Sequence, residues 1–204
     1  MNLPNKISLT RICLIPIFIV VFFLKVLPFN YGIAAIIFAI AACTDFIDGH
    51  IARSRGLVTN LGKFLDPIAD KVLVATAMIL LATMKESLFA LLPNVAEWLY
   101  IATIVCVCII LARELIISAF RQIAAVNGIV MAAEKLGKYK AAFQDVAIFV
   151  LIFAADVPYF AGDAAGKIVA CVGFALFAVA TVLTILSGVS YVWKNRQVLS
   201  DKKD

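Results

Sequence analysis

Three observations predict an all-α integral membrane protein of six transmembrane helices. The 204 residues are 64 % hydrophobic with a mean hydropathy of +1.06, well beyond an ordinary soluble domain. Apolar runs long enough for a bilayer crossing fall at roughly 9–29, 31–48, 66–84, 95–119, 141–160 and 167–193. The basic residues are also unevenly placed. With both termini cytoplasmic, Lys25, Lys85 and Lys167 alone reach the opposite face, and the other fifteen of eighteen lie at cytoplasmic ends. Six crossings use nearly the whole chain, so residues 1–204 read as one membrane-embedded domain.

The first run follows a short MNLPNK segment, in which Pro4 disfavours helix at Leu3. The run is longer than a signal-peptide core and no convincing A-x-A site follows it directly, so it reads as a retained helix. Asn5, Ser8, Thr10 and Arg11 stand at its mouth, either as nucleotide contacts or as interfacial anchors. Helix 2 ends in DFIDGHIAR, and SRGLVTN forms a short turn in which Asn60 can cap helix 3. Pro67 is expected near the start of that helix, and Lys71 is expected to point toward headgroups. Lys85 to Glu97 reads as a far-side loop with solvated charges, broken by Pro93.

Helix 4 carries ARELIISAFRQ, and EKLGKYKAAFQD leads into helix 5. Asp156 to Gly166 reads as a second far-side loop whose two aspartates face water. Helix 6 is long and nearly featureless, with Ala170, Gly173, Ala178 and Ala180 suited to helix packing or to a homodimer contact. The five cysteines all lie in apolar runs without a C-x-x-C pair, and His50 is the only histidine. Neither a disulfide framework nor a thiolate zinc site is expected. The net charge of +5 suits anionic headgroups or an anionic substrate and gives no indication of nucleic acid.

The chemistry concentrates between Asp45 and Asp70. Carboxylates beside a bilayer are costly unless paired, which makes Asp45, Asp48, Asp66 and Asp70 functional candidates. Spacings of three and four put each pair on one helical face. At about 100° per residue, Asp45, Asp48, Gly49, Ala52 and Arg53 share one arc, and Gly62, Asp66 and Asp70 recur every fourth position. Glycine and alanine leave room for a ligand, and Arg53 supplies a fork suited to phosphate. Four clustered carboxylates repel one another unless cations neutralise them, and two divalent ions balance them formally. All-oxygen ligation suits Mg²⁺ or Mn²⁺, and such a pair can stabilise the attacking and leaving oxygens of a phosphoryl displacement.

A second constellation is basic. Arg113 and Arg121 lie eight apart on helix 4 and return to nearly the same face. With Lys138 and Lys140 they could converge as a phosphate-monoester pocket, the alternative being ordinary loop charge, as for Lys135.

The pattern D-x2-D-G-x2-A-R-x8-G-x3-D-x3-D, carried by Asp45, Asp48, Gly49, Ala52, Arg53, Gly62, Asp66 and Asp70, resembles that of the CDP-alcohol phosphotransferases. In helix 4, Ala112, Arg113, Glu114, Ser118 and Arg121 resemble that family's phosphatidylglycerophosphate synthase branch. Gly137, Lys138, Lys140 and Gln144 do so before helix 5. Ala141 departs from it, standing where the branch usually has threonine. The resemblance implies that Asp45, Asp48 and Asp66 hold one metal. It implies that Asp45, Asp66 and Asp70 hold the other, with Asp70 also the general base. It further implies CDP-diacylglycerol as donor, received by Gly49, Ala52, Arg53 and Gly62, with Asn5 and Thr10 nearby. The implied acceptor is glycerol 3-phosphate, clamped by Arg113, Arg121, Lys138 and Lys140. Serine or inositol phosphate as acceptor is the alternative within the family. A cation transporter is the alternative outside it, disfavoured because all four acids gather at one face and no inverted repeat is evident.

Overall fold

Bulky apolar side chains and small residues at helix crossings decide how this chain packs. The structure is a computed structural model that describes residues 3–55, 60–126 and 135–196, with side chains described over 8–44, 67–125 and 136–196. Six α-helices run through these residues: α1 (Leu3–Phe23), α2 (Asn30–Arg55), α3 (Asn60–Ala82), α4 (Ala96–Val126), α5 (Lys135–Ala154) and α6 (Val157–Lys194). A single 3-10 turn, Phe89–Leu91, lies between α3 and α4, and there is no strand among the described residues. The α1–α2–α3 group meets the α5–α6 pair chiefly through α2 against α5, and α4 rests on α6 and α3. Phe18, Phe38, Leu73, Met78, Leu81, Ile148 and Leu151 are fully buried where these helices meet.

Two helices are long and apolar enough to cross a membrane by themselves. The most apolar 18-residue stretches within Ala96–Ala125 of α4 and Val157–Lys194 of α6 have mean hydropathies of 2.3 and 2.6. Their apolar surface is turned outward: Trp98, Leu115, Val189 and Trp193 are each between 64 % and 80 % exposed. Apolar faces of that extent suit lipid rather than water. Within α1 and α2 the apolar helical stretches are shorter, Ser8–Phe23 and Asn30–Thr44.

Several element boundaries differ from the sequence expectation, each for a local reason. The first helix begins at Leu3, because Pro4 falls in the first turn, where a missing N–H costs no ladder bond. It ends at Phe23, earlier than the apolar run, and the Asn30 amide donates to the Phe22 carbonyl at 2.6 Å. Phe29, at φ 60°, turns the chain into α2 and packs edge-on against Tyr159. Helix α3 starts at Asn60, so Pro67 lies inside it; of the expected turn, Ser54, Arg55 and Asn60 belong to the flanking helices, and residues 56–59 lie outside the described residues. Lys85 pairs with Glu97 at 3.0 Å and lies 4.9 Å from the Tyr100 ring, so these two charges are not merely solvated.

The expected loop from Asp156 to Gly166 is mostly helix. The chain turns at Ala155–Asp156, and α6 begins at Val157 with a break at Gly162, whose φ of 82° favours glycine. Asp163 is exposed as expected, but Asp156 is only 2 % exposed and does not face water. Its carboxylate accepts the Gly32 N–H at 2.6 Å, capping the start of α2 from the α5–α6 corner. Burial pushes the Asp156 carboxyl above the ordinary range, while hydrogen bonds from the Gly32 and Tyr31 backbones oppose the shift. Ala170, Gly173 and Ala180 are buried within the chain, whereas Ala178 is exposed. A Cβ on Gly173 would come within 2.7 Å of the Leu151 side chain, so glycine there sets the close approach of α5 and α6.

Candidate active site

The backbone sets the aspartate motif on two consecutive helices. Asp45, Asp48, Gly49, Ala52 and Arg53 occupy the last three turns of α2, and Gly62, Asp66 and Asp70 the first half of α3. The side chains of residues 45–66, and that of Asn5, lie outside the described residues. Asp70 and Thr10 are exposed. The candidate ligands are all carboxylates, without histidine or cysteine, and such a donor set fits Mg²⁺ or Mn²⁺.

Arg11 fixes the approach to this segment. Its guanidinium is fully buried, and its Nε donates to the Ala41 carbonyl at 3.2 Å and to Thr44 Oγ1 at 3.3 Å. That ties α1 to the turn of α2 immediately before Asp45. The sequence placed Arg11 at a cytoplasmic mouth and left its role open; burial and its contacts with α2 show that it is more than an interfacial anchor. Ile36, Ala39, Ile40, Cys43 and Thr44 of α2 and Phe149 of α5 line an open apolar groove of ≈ 400 Å³.

The basic constellation is built by α4, α5 and α6. Arg113 Nη1 donates to Glu114 Oε1 at 3.1 Å, and the Lys140 ammonium donates to the same oxygen. Arg113 Nη2 donates to Ser187 Oγ at 2.9 Å. The Arg113 stem lies over Gly188, where a Cβ would come within 3.0 Å of its Cγ. A single carboxylate thus holds two cations from different helices, and glycine on α6 provides the slot for one of them. Arg121 turns instead to α6, donating to the Tyr191 hydroxyl at 3.1 Å with its guanidinium 5.2 Å from the ring. Lys138 is exposed on α5. Of the four cations expected to converge, the structure joins Arg113 and Lys140.

The carboxylate-bearing and basic constellations meet through Lys71. Its ammonium donates to Ser118 Oγ, and the Ser118 hydroxyl donates to the Glu114 carbonyl oxygen at 2.5 Å. Lys71 therefore crosses to α4 and does not point toward headgroups. The turn of α3 bearing Asp70 lies against the turn of α4 that follows Glu114. In the sequence Glu114 is part of the helix-4 pattern without an evident role, and Ser187 and Tyr191 carry no signal. A lone acid between basic residues signals Glu114, but no spacing signals a partner 70 or more positions away.

Comparison with known proteins identifies the family. Residues 1–190 match the CDP-alcohol phosphatidyltransferase family. A Bacillus subtilis protein named CDP-diacylglycerol–glycerol-3-phosphate 3-phosphatidyltransferase is 38 % identical, over 97 % of each chain. Proteins of the same name from Shigella flexneri serotype 5b and Escherichia coli K12 are 39 % and 38 % identical, over 98 % of each chain. With the motif on α2 and α3, the basic cluster beside it and a match over nearly its full length, the chain belongs to the CDP-alcohol phosphatidyltransferase family.

Proposed function

We propose that this chain transfers the phosphatidyl group of CDP-diacylglycerol to sn-glycerol 3-phosphate, giving phosphatidylglycerophosphate and CMP. The observation that carries the reading is the Lys71–Ser118 contact, which sets the Asp70 turn beside the Arg113–Glu114–Lys140 cluster. A base and a phosphate-binding cluster on touching helices suit an acceptor that is both an alcohol and a phosphate monoester.

The donor lies with its acyl tails in lipid, and the apolar groove ending at Thr44 suits the part of a chain nearest the glycerol. Gly49, Ala52, Arg53 and Gly62, with Asn5 and Thr10 at the α1 mouth, receive the cytidine and pyrophosphate. Asp45, Asp48 and Asp66 would hold one divalent ion, and Asp45, Asp66 and Asp70 the other. When bound, Mg²⁺ or Mn²⁺ supplies neutralisation of the pyrophosphate charge and of the departing CMP. Arg113 and Lys140, drawn together by Glu114, bind the acceptor phosphate, and Arg121 and Lys138 extend the positive field at its entrance. Asp70 removes the proton from the acceptor hydroxyl. The acceptor oxygen then bonds to the phosphatidyl phosphorus, and the bond to CMP breaks with its electron pair on CMP. Rate enhancement here is chiefly positioning and charge complementarity.

Six crossings with both termini and the site at the cytoplasmic face complete the reading, supported by the fifteen basic residues at that end. A homodimer would use the outward side of α6, where Ala178 is exposed beside Val179 and Val182.

Purified protein with Mg²⁺ and CDP-diacylglycerol, offered glycerol 3-phosphate, serine, inositol 1-phosphate or no acceptor, tests this by CMP release. Release with glycerol 3-phosphate alone, falling at least about 100-fold in Asp70→Asn, is expected. Release with serine alone would sink the acceptor assignment, and release unaffected by Asp70→Asn would sink the role of the base.

A further inference from the structure

Among the described residues, two buried polar atoms of opposite sense lack partners: Arg113 Nε, a donor, and Gln144 Oε1, an acceptor. Gln144 is only 3 % exposed. A buried carbonyl oxygen left without a donor is costly, and such atoms in native proteins call for a specific explanation. Gln144 follows Lys140 by four residues on α5, so both side chains leave the helix on one face. The axial step between them is about 6 Å, which matches the reach of a three-carbon phosphate monoester. Lys140 is equally buried and is held by Glu114 in the cluster that contains the unpartnered Arg113 Nε. The site therefore offers an unused donor beside the cations and an unused acceptor one turn away. An anionic oxygen satisfies the first and a hydroxyl satisfies the second.

We propose that Gln144 is a specificity-determining residue, its Oε1 accepting a hydrogen bond from the acceptor's non-reacting hydroxyl, carbon 2 of glycerol 3-phosphate. The inference rests on the acceptor assigned above and deepens it. Asp70 acts on the reacting hydroxyl, the Arg113–Lys140 pair holds the phosphate, and Gln144 reads what lies between. An acceptor lacking that hydroxyl leaves the buried carbonyl unsatisfied when water is excluded, so it is rejected at the transition state.

The test compares kcat/KM for glycerol 3-phosphate and for 3-hydroxypropyl phosphate, which keeps the primary alcohol and the phosphate but lacks the middle hydroxyl. The full-length protein in detergent is expected to prefer glycerol 3-phosphate by about 10- to 100-fold. In Gln144→Met, of similar length and without the acceptor oxygen, that ratio is expected to collapse toward one. Gln144→Glu, which keeps an acceptor, should retain much of it. Equal use of the two phosphates by the unaltered protein would overturn the inference without any variant having to fold. A ratio preserved in Gln144→Met would overturn it as well. CMP release with serine but with neither phosphate would instead overturn the acceptor assignment and this inference with it.

Discussion

At the scale of single residues, the account turns on how one acid organises two bases. Glu114 Oε1 accepts from both Arg113 and Lys140, and Lys140 is almost wholly buried. Removing one member of a buried ion pair leaves its partner uncompensated, whereas replacing both by apolar groups is far better tolerated. Glu114→Gln is therefore expected to cost about 3 kcal/mol of stability, read as a fall in unfolding temperature in detergent. Lys140→Met alone should cost a similar amount, and the double variant should be more stable than the sum of the two losses predicts. Strict additivity would mean that the two groups do not interact. The sequence made the cations and the four aspartates legible, because their types and spacing carry chemistry by themselves. It did not make the use of Glu114 or Gln144 legible, since an acid shared by two helices and an amide without a partner exist only after packing.

At the scale of elements, α2 is held at its start and at its middle. Arg11 ties its approach to the aspartates onto α1, and Asp156 caps its start from the α5–α6 corner. Asp156→Ala leaves buried backbone N–H groups without their acceptor and is expected to cost about 1–3 kcal/mol, while Asp156→Asn keeps an acceptor oxygen and should cost less. Because burial raises the Asp156 carboxyl, the native state holds its proton more tightly than the unfolded chain. The stability it contributes is present below the ordinary carboxylate pKa and is lost as pH rises through the raised value. Thermal unfolding across acidic pH should show that decline, and Asp156→Asn should remove it. A slope unchanged in Asp156→Asn would assign the dependence to another group. Helix number and order could be read from the apolar runs, but ends could not. A run records composition, so it carried α1 on through the turn at Phe29 and missed the helix on either side of Gly162.

At the scale of the whole molecule, the helices bring three kinds of surface to one region. An apolar groove ends at Thr44, the carboxylate segment begins at Asp45, and the basic cluster lies across the Lys71–Ser118 contact. In the proposed reaction these regions would meet the lipid, the pyrophosphate and the phosphorylated alcohol in turn. The central claim is the identity of the lipid made. Liposomes containing the protein and CDP-diacylglycerol, supplied with isotopically labelled glycerol 3-phosphate and Mg²⁺, can be extracted and their lipids identified by mass spectrometry. The account predicts labelled phosphatidylglycerophosphate in step with CMP, lost on chelation and restored by Mg²⁺ or Mn²⁺. CMP accompanied only by phosphatidic acid, or by a lipid without the label, would contradict it.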